Sequence, residues 1–521
     1  MPGDEPLTND ELERLAPFVS DPHAPVFALK GLPESTMGAM FARYSRYPGT
    51  LRRLMLDEFS EELQDAAAVG SGGARTTALY ERVLGEYGDD SVAQLGGAHI
   101  ACEWSSNVLT KILQRPRLGA YLEQSTRYIP YDRPMAGGGY RYYRAPELDG
   151  FYEQAMDSLF DTYSSLQAPV QEWVGSRFSK LDSESQAAHE RAVRAKALDL
   201  LRGLLPAASL SHVGIFATAQ TVERLILHLL ANPLPEARRC GEQMLRAMQV
   251  AAPSFVTRVE RPERGGEWIG FLRRRAAGEA SVVDRLGLNG EPAPEPASVR
   301  LLSVEGSEEQ LLGALLFEGS SLGEAAISER LDSLDERQRS ALVAELVGRR
   351  ENRRHLPGRG FEALRYRFEI VSDYGAFRDL QRHRMLTAQW QTLGPHLGAE
   401  VPDELRAAGL GGPYEAALER SHDAWRHLRD EGLESHAPYA LCLAFRIRYV
   451  LDLNAREAIH LIELRSGREG HAGYRSIAHR MHQLIGEVHP AVAAAMSHVQ
   501  HGAEPRLERI LAEARRERLR S

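Results

Sequence analysis

Two stretches decide the fold: ACEWSSNVLTKILQRPRLGAYLEQSTRY, from Ala101 to Tyr128, and FEIVSDYGAFRDLQRHRMLTAQWQTLG, from Phe368 to Gly394. Both carry Leu-Gln-Arg-x-Arg, at Leu113–Arg117 and Leu380–Arg384. A five-residue match is weak alone, but each copy sits at the same place in one order of elements, which is the mark of a duplication. A short apolar opening (VFALKGL; SVRLLSV) is followed by helical stretches, the Arg-rich loop and a late amphipathic helix. In the late helix of the second half, Ala455, Ala458, Ile459 and Ile462 recur at i, i+3, i+4 and i+7. In the first half Val222, Leu225, Ile226 and Leu229 do the same. Asn454 with Glu457 three residues on reads as a capping box, Gly467 as the stop, and Asn232-Pro233 as the first-half stop.

Between Arg275 and Ser298 the run RAAGEASVVDRLGLNGEPAPEPAS has no amphipathic period and reads as a linker. The expected organisation is an N-terminal tail at 1–20, a first domain at 21–270, a linker at 271–298, a second domain at 299–505 and a charged C-terminal helix at 506–521. Chain length agrees with two large domains, since a domain averages roughly 100–200 residues and the chain has 521. A 43% hydrophobic and 26% charged composition suits a globular chain with a sizeable core.

The net charge of -9 argues against a protein that coats nucleic acid, which needs a basic surface, and leaves room for a local basic pocket for one anion. Cys102, Cys240 and Cys442 are too far apart for a metal knuckle or a disulfide framework and read as small buried side chains. The acidic start MPGDEPLTNDELERL lacks a signal-peptide core, and no stretch has the roughly 20 apolar residues of a membrane span, so a cytoplasmic protein is expected.

Arg115, Arg117, Glu123, Ser125, Arg127 and Tyr128 crowd guanidinium groups, a carboxylate and hydroxyls into one loop. By chemistry this is an anion site or a salt-bridged surface loop, since planar guanidinium forks match phosphate and carboxylate alike. Arg382-His383-Arg384 sets a titratable imidazole between two fixed charges, which favours its neutral form and suits a pyrophosphate or a basic turn. His479 and His482 have no third ligand nearby in sequence, and Gly137-Gly138-Gly139 reads as a turn, so no metal site is expected.

At this point the first half resembles the flavin-dependent thymidylate synthases, whose signature is RHRxxSxNExSxRY. Arg115 and Arg117 match the ends of RHR, and Glu123, Ser125, Arg127 and Tyr128 match ExSxRY; Pro116, Ala120 and Leu122 replace its His, first Ser and Asn. The second half keeps the other portion. Arg382, His383 and Arg384 match RHR, Thr387 and Gln389 stand in for Ser and Asn, and Trp390, Gly394 and Pro395 replace Glu, Arg and Tyr. NAREAIHLIELRSGREGHAGYR resembles the family's Asn-x-Arg helix and Leu-Arg pair through Asn454, Arg456 and Arg465; in the first half Gln220 and Val222 are the nearest counterparts of Asn-x-Arg. Arg202 opens an Arg-x-x-Leu-Pro segment of the nucleotide-binding kind, and Leu95 and Ala363 stand where the family has a flavin-contacting His.

The resemblance implies an α+β fold of two tandem copies, each with helices packed on an antiparallel sheet, forming a pseudo-dimer that pairs as a homodimer to imitate the family tetramer. It implies dUMP, or a related pyrimidine nucleotide, held by Arg115, Arg117, Glu123, Ser125, Arg127, Tyr128, Arg202 and Arg465. FAD would lie on Arg382, His383, Arg384, Thr387, Gln389, Asn454 and Arg456, with NADPH and methylenetetrahydrofolate as co-substrates. Arg465 would polarise the pyrimidine and Ser125 would hydrogen-bond near the base without acting as a nucleophile. The alternatives are a relative that binds flavin or nucleotide without turnover, a flavoenzyme acting on another pyrimidine nucleotide, and nucleic-acid modification or binding, which the acidic balance disfavours but a pocket-bound flipped base would allow.

Overall fold

Each Leu-Gln-Arg-x-Arg run turns a short capped helix into an edge strand. In a computed structural model, which describes residues 7–32, 34–44, 47–60, 63, 96–127, 129–135, 137–501, 507–510 and 513, eight strands form two sheets. The first holds β1 (Val26–Ala28), β2 (Gly97–Ser106), β3 (Gly119–Glu123) and β4 (Leu210–Thr218) in the order β1-β2-β4-β3. The second holds β5 (Ser298–Glu305), β6 (Arg365–Asp373), β7 (Leu386–Trp390) and β8 (Arg446–Asn454) in the order β5-β6-β8-β7. Every pairing is antiparallel. The chain is therefore α+β with the same fold twice.

Local chemistry repeats with the topology. Helix α1 (Asn107–Leu113) starts where the Ser106 hydroxyl accepts from the Leu109 N–H, α2 spans Gly150–Arg177, and α3 (Gln186–Leu201) is capped by Ser185. Helix α4 (Ala219–Ala231) follows β4 directly with Thr218 as cap, and α5 spans Glu267–Arg285. Helix α6 (Tyr374–Leu380) is capped by Asp373, and α7 spans Gly411–Asp430. Helix α8 (Ala455–Arg465) follows β8 with Asn454 as cap, and α9 spans Ala472–Val488. The caps make Thr218 the counterpart of Asn454, and two positions on, Gln220 the counterpart of Arg456. The expected pair of Gln220 and Val222 is thereby shifted by two residues.

Along β8 the half-buried Arg446, Arg448, Val450, Asp452 and Asn454 alternate with the buried Ile447, Tyr449, Leu451 and Leu453, a period of two with one face in the core. Helix α9 packs on β5 and β6. In the first sheet β4 is buried almost throughout, because Tyr44 stacks on His212 at 5.7 Å and Phe41 fills the space that a Cβ on Gly214 would take. That sheet is closed on a face the second sheet leaves polar.

Two compact units cut across the halves. One comprises Met1–Ser165, Leu204–Pro292 and Ala416–Cys442, and the other Leu166–Gly203, Ala293–Glu415 and Leu443–Ser521. The bounds 21–270 and 299–505 do not delimit them, since α3 joins the second unit, where the Lys196 ammonium donates to Glu508 at 2.7 Å and Glu404 at 3.1 Å. The stretch from Arg275 to Arg285, read as linker, continues α5 instead. Almost all of α5 is exposed, so its good helix formers show no apolar period to read. Leu95, Tyr128 and most of the charged tail lie outside the described residues. Among the described residues no helix is long and apolar enough to cross a membrane.

Candidate anion-binding site

Asp379 ends the last turn of α6, and the chain leaves it through Arg382-His383-Arg384 into β7. Three guanidinium groups meet at this aspartate. Arg202 Nη1 lies 3.5 Å from Oδ2, Arg465 Nη1 lies 3.9 Å from Oδ1, and Arg382 pairs closely with Oδ1. The Asp379 carbonyl also accepts from Arg465 Nη2 at 2.6 Å. Arg202 comes from the first half of the sequence, at the C-terminus of α3, and belongs to the same compact unit as the others. The predicted Arg202, Arg382, His383 and Arg465 are thus brought together.

Arg202 is only 5% exposed, yet its Nε and Nη2 have no hydrogen-bond partner, and its nearest further anion is Asp373 Oδ1 at 3.8 Å from Nη2. A buried donor left unmade costs about 1–3 kcal/mol, more when charged, so these two N–H groups are poised for an acceptor. Glycine keeps the space open. A Cβ on Gly375 would come 3.2 Å from both orphan nitrogens, and one on Gly473 would come 3.1 Å from Asp373 Oδ2. Burial raises the Asp373 pKa against the lowering by Arg202.

A second chain of contacts runs from Arg465 into α8. Its Nε–H donates to His383 Nε2 at 3.0 Å, His383 Nδ1 lies 2.9 Å from Glu457 Oε1, and Glu457 Oε2 lies 3.2 Å from His460 Nδ1. Burial lowers the His383 pKa to about 4, so the imidazole is neutral at neutral pH. Burial would raise Glu457, but hydrogen bonds from His383 and His460 outweigh it and hold the carboxyl at about 2. Burial also lowers the Arg465 pKa, and its guanidinium carbon sits 5.4 Å from the Tyr474 ring centre. Glu457 is not the reciprocal partner of a capping box, because its carboxylate is drawn to the two imidazoles; only its N–H donates to Asn454.

The sign of the resulting pH dependence follows from linkage. The unfolded chain takes up a proton on His383 near pH 6.5 and the folded chain only near 4, so folding stability falls as pH drops between those values, by up to ~1.4 kcal/mol per pH unit. His383→Gln is expected to flatten that acid slope of the urea midpoint; an unchanged slope would contradict a neutral buried His383.

His383, Glu457 and His460 offer one ligand atom each within 4.8 Å of one another, the geometry of a small metal site. The tautomer argues against it. Since Nε2 accepts from Arg465, Nδ1 carries the ring proton and is not free to ligate.

Other expected residues have different commitments. The Asn454 side chain caps α8, Arg456 Nε donates to the Pro357 carbonyl at 3.0 Å with Nη1 3.8 Å from Glu362, and Gln389 accepts from Arg367 at 3.1 Å. Thr387 lies opposite Asp452 in the β7–β8 ladder, and Arg384 is exposed. In the first unit Glu123 is buried and accepts from Lys111 Nζ at 3.0 Å, Gln114 Nε2 at 3.0 Å and Thr110 Oγ1 at 3.4 Å. Its carboxylate is engaged by these donors within the fold. Ser125 Oγ accepts from the Arg127 N–H at 3.4 Å, Arg115 and Arg117 are exposed, and Tyr128 lies outside the described residues. Sequence reasoning missed Asp373, Asp379, Glu457 and His460, though Asp379 precedes Arg382, and Glu457 precedes His460, by three residues, one helical turn.

The family model described as thymidylate synthase complementing protein matches residues 39–254 and 312–491. The chain belongs to this family. Two separate matches place one copy of the thymidylate synthase complementing fold in each half, as the sheets do. The chain is 35% identical over 526 residues to a UPF0159 protein of Chlamydia muridarum, with 98% of each chain covered. It is 35% identical to one of Chlamydia pneumoniae, covering 91% of this chain and 92% of that one, and 30% identical to one of Thermoplasma acidophilum, covering 92% and 98%. Among solved structures it is similar to a UMP/dUMP methylase, PolB, from Streptomyces cacaoi bound with 5-Br dUMP, at 16% identity and a TM-score of 0.32, with 41% of this chain and 99% of that chain covered. Thymidylate synthase complementing proteins are generally flavin-dependent.

Proposed function

We propose that the protein binds dUMP at the arginine cluster of its second unit and methylates C5 of the pyrimidine with methylenetetrahydrofolate, as a cytoplasmic homodimer. The observation that carries this reading is Arg202, whose buried Nε and Nη2 lack partners beside Asp373 and Gly375. Two parallel N–H groups of one guanidinium fit a phosphate or a pyrimidine carbonyl. Arg465, held by the Asp379 carbonyl and His383 beside Tyr474, would stabilise negative charge developing on the ring, and cannot deprotonate to do so.

Family membership supports FAD and NADPH; when bound, a reduced flavin would supply hydride and NADPH would regenerate it. Of the residues expected to hold it, Arg382 and Arg384 carry the charge for a diphosphate, whereas His383 is neutral with both ring nitrogens engaged by Glu457 and Arg465. Asn454 and Arg456 are engaged with the α8 N-terminus and with Pro357, so the fit lies in the loop rather than the helix.

Calorimetric titration with dUMP tests the reading. Arg202→Ala is expected to weaken binding about 10- to 100-fold, the worth of a charge-assisted hydrogen bond at ~1.5–3 kcal/mol. Equal affinity in the variant would sink the assignment. A second reading, a nucleotide-binding relative without turnover, draws on the internal locking of Glu123. Tight dUMP binding without dTMP in the presence of FAD, NADPH and methylenetetrahydrofolate would favour it.

A further inference from the structure

We propose that Glu457 and His460 are positioning residues that fix His383 in its Nδ1–H tautomer and through it set the orientation of the Arg465 guanidinium. The nucleotide reading enters only through what Arg465 then binds.

The chain of contacts starts at the Glu457 carboxylate. An ionised carboxylate only accepts hydrogen bonds, and Glu457 divides its two oxygens between two imidazoles, Oε1 at 2.9 Å from His383 and Oε2 at 3.2 Å from His460. His383 Nδ1 must therefore donate. In a neutral ring the other nitrogen is then a bare acceptor, and it points at Arg465 Nε–H at 3.0 Å. The opposite tautomer would set an N–H against an N–H and expel the guanidinium from its seat on the Asp379 carbonyl. His383 is buried with Glu457, whereas the His460 side chain is 41% exposed, so His460 closes the chain from the solvent side and keeps the Glu457 carboxylate from rotating away. Glu457, His460 and Arg465 all stand on α8, which makes the relay one rigid helix plus the single residue His383.

The tautomer is measurable without ligand. In full-length protein labelled with 15N-histidine, long-range proton–nitrogen spectra at pH 7, with the His383 signals assigned by their loss in His383→Gln, should show the Nδ1–H form. Glu457→Leu should shift His383 toward Nε2–H and weaken dUMP binding about tenfold, while Glu457→Gln, which still offers a carbonyl oxygen, should restore both. If Glu457→Leu does not fold, the wild-type spectrum and His460→Leu, expected to move the His383 nitrogen shifts and lower affinity two- to threefold, decide the matter. An Nε2–H form in the wild type, or a Glu457→Leu protein with unchanged tautomer and affinity, overturns the relay. A wild-type Nδ1–H form in a protein that ignores dUMP supports the relay and defeats the nucleotide reading alone.

Discussion

Arg465→Ala should reduce dUMP-dependent dTMP formation by about 100- to 1,000-fold, the usual consequence of deleting one preorganised donor aimed at developing charge. Its Nε donates to His383, its Nη2 to the Asp379 carbonyl, and its guanidinium carbon lies 5.4 Å from the Tyr474 ring centre, so the fork is fixed before any ligand arrives. Arg465→Lys should rescue little, since a point charge on a flexible stem satisfies neither the imidazole and carbonyl together nor a planar ligand edge. Steady-state assay of both variants with methylenetetrahydrofolate and NADPH checks this, and turnover within threefold of wild type in Arg465→Ala would refute the role.

The second large effect concerns stability and the first unit. Lys111 and Glu123 face each other with side chains only 2% exposed, 3.0 Å apart. Lys111→Met would remove the ammonium that faces this buried carboxylate, which also accepts from the uncharged Gln114 and Thr110. Breaking such a pair from one side costs about 3–5 kcal/mol, whereas removing both charges is often near neutral. Lys111→Met should therefore destabilise the first unit severely, and Lys111→Met with Glu123→Gln should recover most of the loss in urea unfolding. A single variant within ~1 kcal/mol of wild type would show that Glu123 is not locked by Lys111.

The duplication was legible because helix and strand periods and Leu-Gln-Arg-x-Arg are local signals, and the two sheets have the same strand order. Arg202, His383 and Arg465 were legible only through motif spacing. What escaped reading was non-local or ambiguous. Glu457 follows Asn454 by three residues, the spacing of a capping box, and only packing shows its carboxylate reaching His383 instead. Glu123 matched a nucleotide-binding position, but the fate of a carboxylate depends on whether a cation such as Lys111 is folded against it. Helix α5 hid because an exposed helix has no apolar stripe, and the mixing of halves within units depends on where Leu166–Gly203 packs, which no local pattern encodes.

A first-half arginine, Arg202, and second-half arginines stand together in the second unit, where one nucleotide site is proposed. A crystal structure of the protein soaked with dUMP tests it most directly. The phosphate, or a pyrimidine carbonyl, should lie within hydrogen-bond distance of Arg202 Nε and Nη2 with Arg465 on the same molecule; dUMP bound where neither arginine touches it would refute the shared site.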